Sequence, residues 1–221
     1  MTLEKLIFRL FINKKENRMS SYLEIFFLCF AIGSCSFINF EAPRNMDNAC
    51  SILQQRPSFD RAFQKTKRKW GAPIHVQMAI MRQESAFQNR IKPKRTKLLG
   101  LIPWKRKSSA LGYSQAIDAT WDWYRKENNK PLASRVNFSD AVDFTGWYMN
   151  KTSQINGISK SDAYNQYLAY HEGHGGFKKK SFNDKDWLIN TARNVDERSK
   201  KYKSQLKECE DNFKKKFLGI F

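Results

Sequence analysis

The stretch that most constrains this chain starts at Pro73 and closes with AIMRQESAF, residues 79–87. Ile74, Met78 and Met81 recur at helical spacing, with Val76 and Ala79 filling in, which predicts a helix buried over most of its surface. Pro73 falls in the first turn, where its missing N–H leaves no bond unmade. Gln88, Asn89 and then Pro93 end the pattern and leave Glu84 in the last turn or two. A carboxylate there lies near the negative end of the helix dipole and among apolar neighbours. Both effects favour its neutral, proton-donating form. The stretch by itself also fits an ordinary solvated helix glutamate.

The rest of the chain reads as helices of the same kind. Ser58 is the expected cap of a helix carrying Phe59, Ala62, Phe63 and Trp70. Asp118 is expected to cap ATWDWYRKEN, with Trp121 and Tyr124 together in the core. Ser139 or Asp140 would start a helix with Phe144, Trp147 and Tyr148 turned inward. Ser161 would start another, in which Tyr164, Tyr167, Leu168 and His171 form the inward stripe before Gly173 ends it. A last long helix runs from Asp184 to Cys209 on Leu188, Val195, Tyr202 and Leu206. No run of alternating β-branched residues occurs, so the fold is expected to be mainly α.

Segment 90–111 is different. It is basic, with Lys92, Lys94, Arg95, Lys97, Lys105, Arg106 and Lys107, yet carries Leu98, Leu99, Ile102, Pro103 and Trp104 in its middle. Two accounts stay open: the apolar residues pack down as a satellite cluster, or the segment is a cleft wall with Trp104 against a sugar.

The 221 residues carry 41% hydrophobic and 14% aromatic side chains, enough for a real core and too many for a disordered chain. The formal net charge of +19 calls for an anionic partner: nucleic acid, a membrane surface or an acidic polymer.

Three motifs recur in a known order: Glu84-Ser85, then GYSQA at 112–116, then LAYHEGHGGF at 168–177. Together they resemble the lytic transglycosylase (SLT) domain, a goose-lysozyme-like fold, over roughly residues 60–180. The resemblance implies a single, mainly α, lysozyme-like domain with a catalytic cleft, here residues 58–221. It implies Glu84 as the catalytic acid, Tyr170 within reach of Glu84 to hold the acid or the acetamido group, Ser85 and Gln115 orienting the substrate by hydrogen bonds, and Tyr113 and Glu172 as further substrate contacts. Tyr113 and Ser114 stand where the family has Leu-Met, and His171 and Glu172 where it has Asn-Ala. The segment between Glu84 and Gln115 is longer than the family pattern.

Residues 22–34, YLEIFFLCFAIGS, follow Lys14, Lys15 and Arg18 and are too short to span a membrane comfortably. This is the layout of a secretory signal, and Met19 is an alternative start. Ile32-Gly33-Ser34-Cys35 resembles a bacterial lipobox, which implies cleavage after residue 34, lipidation of Cys35 and a tether over 35–57. The alternative is an uncleaved anchor helix. Loss of residues 1–34 removes five Lys/Arg and three Asp/Glu and leaves +17, so the basic character belongs to the exported domain. Cys50 and Cys209 then remain as an even pair expected to be bridged outside the cytoplasm.

The implied activity is cleavage of the MurNAc-β-1,4-GlcNAc bond of peptidoglycan with formation of 1,6-anhydro-MurNAc, Glu84 acting as the one acid and base. Hydrolysis normally needs two carboxylates. A lysozyme-like muramidase on the same fold would therefore call on Glu172 or Asp118 to position water. A non-catalytic wall-binding lipoprotein is a third reading, against which Glu84 argues. The expected setting is the periplasm, anchored to the outer membrane, as a monomer with no nucleic-acid partner and no cofactor. His171 and His174 sit three apart with Gly173 between them, not one clean helical turn apart, so no metal site is expected.

Overall fold

The computed structural model describes residues 41–217 apart from Leu99; the side chains of Leu98, Ile102 and 210–217 lie outside that description. The signal at 1–34 and Cys35 therefore fall outside the described residues. Among those described, no helix is long and apolar enough to cross a membrane.

The elements in order are α1 (Ala49–Gln55), α2 (Pro57–Trp70), α3 (Ile74–Ser85), β1 (Arg95–Leu98), β2 (Ile102–Arg106), α4 (Asp118–Glu127), α5 (Phe138–Asn156), α6 (Ala163–Lys178) and α7 (Asp186–Phe217). The mainly helical reading holds. The exception is the basic segment, which forms an antiparallel hairpin of β1 and β2 rather than a loop.

Helix α3 is the centre of the bundle: Val76, Met78, Ala79, Ile80 and Met81 are wholly buried. Even Gln77 is inside, its Nε2 donating to the Ala72 carbonyl at 2.7 Å. Helices α2, α5, α6 and α7 pack around it. Helix α5 crosses α2 closely at Gly146, where a Cβ would stand 2.2 Å from Thr66 Cγ2 and 3.0 Å from the Trp70 ring. Only glycine fits that approach.

Several helix starts differ from the sequence expectation. Pro57 occupies the first turn of α2 and Ser58 is not its cap. Asn137 caps α5 by accepting from the Asp140 N–H, in place of Ser139 or Asp140. Asp162 rather than Ser161 caps α6, accepting from the Asn165 N–H. Asp118 lies inside α4 and pairs with Arg135 at 2.7 Å. Helices α2 and α4 start without a side-chain cap, at Arg56 and Ile117, while α5 and α6 are capped one or two residues away from the expected position.

The expected tether of 35–57 is too long. Residues 49–55 are α1, with Ala49 and Ile52 wholly buried, so that stretch belongs to the domain core. Helix α1 is held on α7 by the Ala49 N–H donating to Gln205 Oε1 at 2.8 Å and by the Cys50–Cys209 disulfide. That bridge joins residues 159 apart in sequence, a loop closure that contributes on the order of 5 kcal/mol in the chain-entropy account.

The second anchor is Asp143 on α5. Its carboxylate accepts from Trp70 Nε1 at 2.8 Å, Tyr124 Oη at 2.6 Å, Lys130 Nζ at 2.5 Å and Lys69 Nζ at 3.2 Å. Burial alone would raise its pKa, but the bonds from Lys130, Tyr124 and Trp70 outweigh that and hold it down at about 2. One carboxylate thereby ties α2, α4 and the 128–137 turn to α5.

Candidate active site

Glu84 lies in the last turn of α3, and the two residues after Ser85 have an unusual backbone. Ala86 and Phe87 both adopt left-handed conformations, with φ of 50° and 58°. For non-glycine residues this is strained and needs tertiary support. The support is Phe87, wholly buried and stacked on Phe59 with ring centroids 6.2 Å apart. Pulling Phe87 into the core stops the helix at Ser85 and holds Glu84 at its end.

Glu84 keeps some surface exposure, yet its carboxyl is withdrawn far enough from water that burial raises its pKa from the usual 4.5 to about 7. The opposing influence is a hydrogen bond from Tyr167, which favours the ionised form. No lysine or arginine among the described residues offsets the burial. A carboxyl half-protonated near neutral pH can donate a proton in one step and take one in the next.

The residue that reaches Glu84 is thus Tyr167, not Tyr170. Tyr170 Oη donates to the Ser114 carbonyl at 2.6 Å, and Thr145 is also within hydrogen-bonding reach. Both tyrosines sense the Glu84 charge, and together with burial it raises each phenol well above its ordinary pKa. They are one turn apart on α6 and share a face, so spacing alone does not say which meets the acid. Tyr167 belongs to the inward stripe of α6 and is indeed buried. Its ring lies in the apolar core and its hydroxyl meets the carboxyl.

The remaining candidates separate into groups. Ser85 is buried and its hydroxyl bonds back to the Met81 carbonyl at 3.3 Å, so it supports the helix end instead of facing substrate. Gln115, at φ 48°, donates from Nε2 to the Gly112 and Ile91 carbonyls at 2.7 and 3.0 Å and thereby shapes the GYSQA turn. Tyr113 is 1% exposed and packs edge-on against Phe59 and Phe138, so it is a core residue with no route to a substrate. Glu172 is held by Lys185 at 2.7 Å and by Ser181 and His171. Burial would raise its pKa, but those bonds hold it down at about 2.

Gly173 ends the first helical run of α6, as expected. Its φ of 74° and ψ of 161° break the helix, which then resumes to Lys178. The break turns residues 174–178 relative to the first part of the helix. His171 is exposed against the edge of Trp187, contrary to its assignment to the inward stripe, while His174 stacks on Tyr148 at 4.4 Å. A cavity of about 830 Å³ lies elsewhere, at the start of α3 between α1, α2 and α7, lined by Leu53, His75, Lys203 and Leu206. It is on the order of 14 Å from Glu84 along the helix.

The family model of the transglycosylase SLT domain matches residues 23–209. The chain belongs to that family. The SLT domain is in general a lytic transglycosylase domain, a lyase acting on peptidoglycan, and the helical architecture around α3 is lysozyme-like. The matched range is longer at both ends than the three motifs alone would delimit, and it takes in α1, most of α7 and both bridged cysteines. A comparison with curated proteins found no match.

Proposed function

We propose that this SLT domain cleaves the MurNAc-β-1,4-GlcNAc bond and closes a 1,6-anhydro ring on the muramic sugar, with Glu84 as its only acid and base. The supporting observation is the contrast among carboxylates near the motifs. Glu84 is held near neutrality with a tyrosine as its partner. Glu172 and Asp118, the candidates for a second carboxylate, are each spent on a cation, Lys185 and Arg135. A hydrolase needs a second carboxylate free to act as base or nucleophile. A transglycosylase does not, because its attacking hydroxyl is already on the sugar.

In this reading protonated Glu84 gives its proton to the glycosidic oxygen as the bond to the muramic C1 breaks. The acetamido group of that sugar stabilises the developing positive charge. Ionised Glu84, steadied by the Tyr167 hydroxyl, then takes the proton of the 6-hydroxyl as its oxygen attacks C1. The acid is restored and no water is consumed. Gln115 and Tyr170 act through the GYSQA turn, which they fasten from either side.

The reading also puts the domain in the periplasm as a monomer anchored to the outer membrane through lipid on Cys35. The disulfide fits an oxidising compartment. The decisive experiment is mass spectrometry of purified sacculi digested by the protein. Anhydro-muropeptides are expected; reducing muramic ends would instead make it a muramidase, and intact sacculi a wall binder. Labelled fatty acid should enter the wild-type chain and not Cys35→Ala.

A further inference from the structure

The hairpin between the two motif stretches has a composition unlike the rest of the domain. From Ser85 to Ile117 there is no Asp or Glu, while Arg90, Lys92, Lys94, Arg95, Lys97, Lys105, Arg106 and Lys107 supply eight cations. All eight are exposed, and none is in an ion pair among the described residues. The strand register even sets Arg95 directly opposite Arg106. Like charges facing across a pair of strands destabilise it. An anionic surface would relieve that repulsion.

Among the segment's apolar residues whose side chains are described, Leu101, Pro103 and Trp104 stand exposed instead of packing down as a satellite cluster. Leu101, at the turn, is 83% exposed and Trp104 on β2 is 49% exposed. Gly100 beside Leu101 has open space around it. The hairpin thus presents an aliphatic residue at its tip, an amphipathic ring on β2 and exposed cations along both strands, Lys97 opposite Pro103 among them. A bilayer offers a partner to each of the three: acyl chains, the interfacial zone and phosphates, with long cationic side chains reaching back to the phosphates. A hydrated polysaccharide removes far less water from a lone leucine than acyl chains do. Between Ile91 and Ala110 there is also no Asp, Glu, Asn or Gln side chain to take up sugar hydroxyls.

We propose that the β1–β2 hairpin docks on an anionic phospholipid surface, Leu101 and Trp104 entering the interface and the lysines and arginines meeting the headgroup phosphates. The hairpin root is tied to the GYSQA turn through Gln115 and Ile91. Docking would therefore hold the cleft close to the bilayer and direct it at glycan nearest the membrane. The idea does not depend on which sugar product the enzyme makes.

The test uses the full chain with vesicles of phosphatidylglycerol and phosphatidylcholine containing a spin-labelled lipid, read by tryptophan quenching. Residues 1–40 contain no tryptophan, so insertion of the leader is silent in this signal. Quenching is expected with phosphatidylglycerol, to be weakened by salt, and to disappear in Trp104→Phe. Leu101→Asp should lower the hairpin's partition about ten-fold without moving the thermal transition, since the residue is exposed. Quenching that survives Trp104→Phe, or is equal in phosphatidylcholine alone, overturns the proposal. So does a hairpin variant that loses binding to isolated peptidoglycan while its vesicle signal is unchanged, which would make the hairpin a wall-polymer contact.

Discussion

Two carboxylates in this domain are drawn away from water and end in opposite states. Asp143 is surrounded by two ammonium groups, an indole N–H and a phenol, and stays ionised down to about pH 2. Among the described residues Glu84 has a phenol as its hydrogen-bond partner and no cation beside it, and stays protonated up to about pH 7. In a chain with 40 lysines and arginines, leaving one buried acid without a cation is the unusual arrangement. Burial alone therefore does not mark the site. What marks it is burial without compensation, which a structural carboxylate would not tolerate but an acid–base catalyst requires.

The largest expected effect comes from removing the uncompensated acid. Glu84→Gln should reduce release of muropeptides from sacculi by about 10³-fold or more, worth about 4 kcal/mol of barrier, because it loses both proton transfers. Activity within a few-fold of wild type would shift the acid elsewhere and undo the contrast.

Next comes the pH dependence of stability, which should differ in sign for the two groups. Unfolded Glu84 ionises above about 4.5 but folded Glu84 only near 7, so between these values the folded state holds more protons and stability falls as pH rises. Glu84→Gln lacks this loss, so chemical denaturation should find it gaining on wild type from pH 4.5 to 7, by on the order of 3 kcal/mol. For Asp143 the contribution is present above 3.8 and lost as pH falls toward about 2, so wild type and Asp143→Asn should converge only in acid.

At neutral pH Asp143→Asn should destabilise by about 2–3 kcal/mol, less than for a fully buried pair because both lysines can turn to water. Lys69 and Lys130 are 39% and 32% exposed. A urea titration measures the difference. Muropeptide release should persist wherever the variant is folded.

The smallest effect concerns the tyrosines. Tyr167→Phe removes the bond that favours ionised Glu84, so its pKa should rise above about 7 and turnover fall roughly ten-fold, about 1.4 kcal/mol. The pH–rate profile should move upward with it. Tyr170→Phe, whose hydroxyl serves the Ser114 carbonyl, should leave that profile in place. The reverse pattern would restore Tyr170 as the partner of the acid.

Much of this is legible in the residues. Ile74 to Met81 spell a buried helix ending at Glu84, Leu188, Val195 and Tyr202 spell the α7 stripe, and Cys50 and Cys209 are an obvious pair. The β1–β2 hairpin is not legible, because its strands lack the alternating β-branched pattern and find their partners in each other. Tyr113 reads as a substrate contact by its motif position, yet Phe59 and Phe138, distant in sequence, take its ring into the core.

Periodicity and motif order, which are local, determined that the chain is helical, that it carries SLT motifs and that Glu84 closes the central helix. Tertiary structure alone decided which groups surround each carboxyl. Lys185 comes from beyond the Gly173 break to claim Glu172, Lys130 from a turn to claim Asp143, and Tyr167 from α6 to meet Glu84. The field that sets a proton's affinity is the sum over neighbours in space, and the order of residues along the chain does not contain that sum.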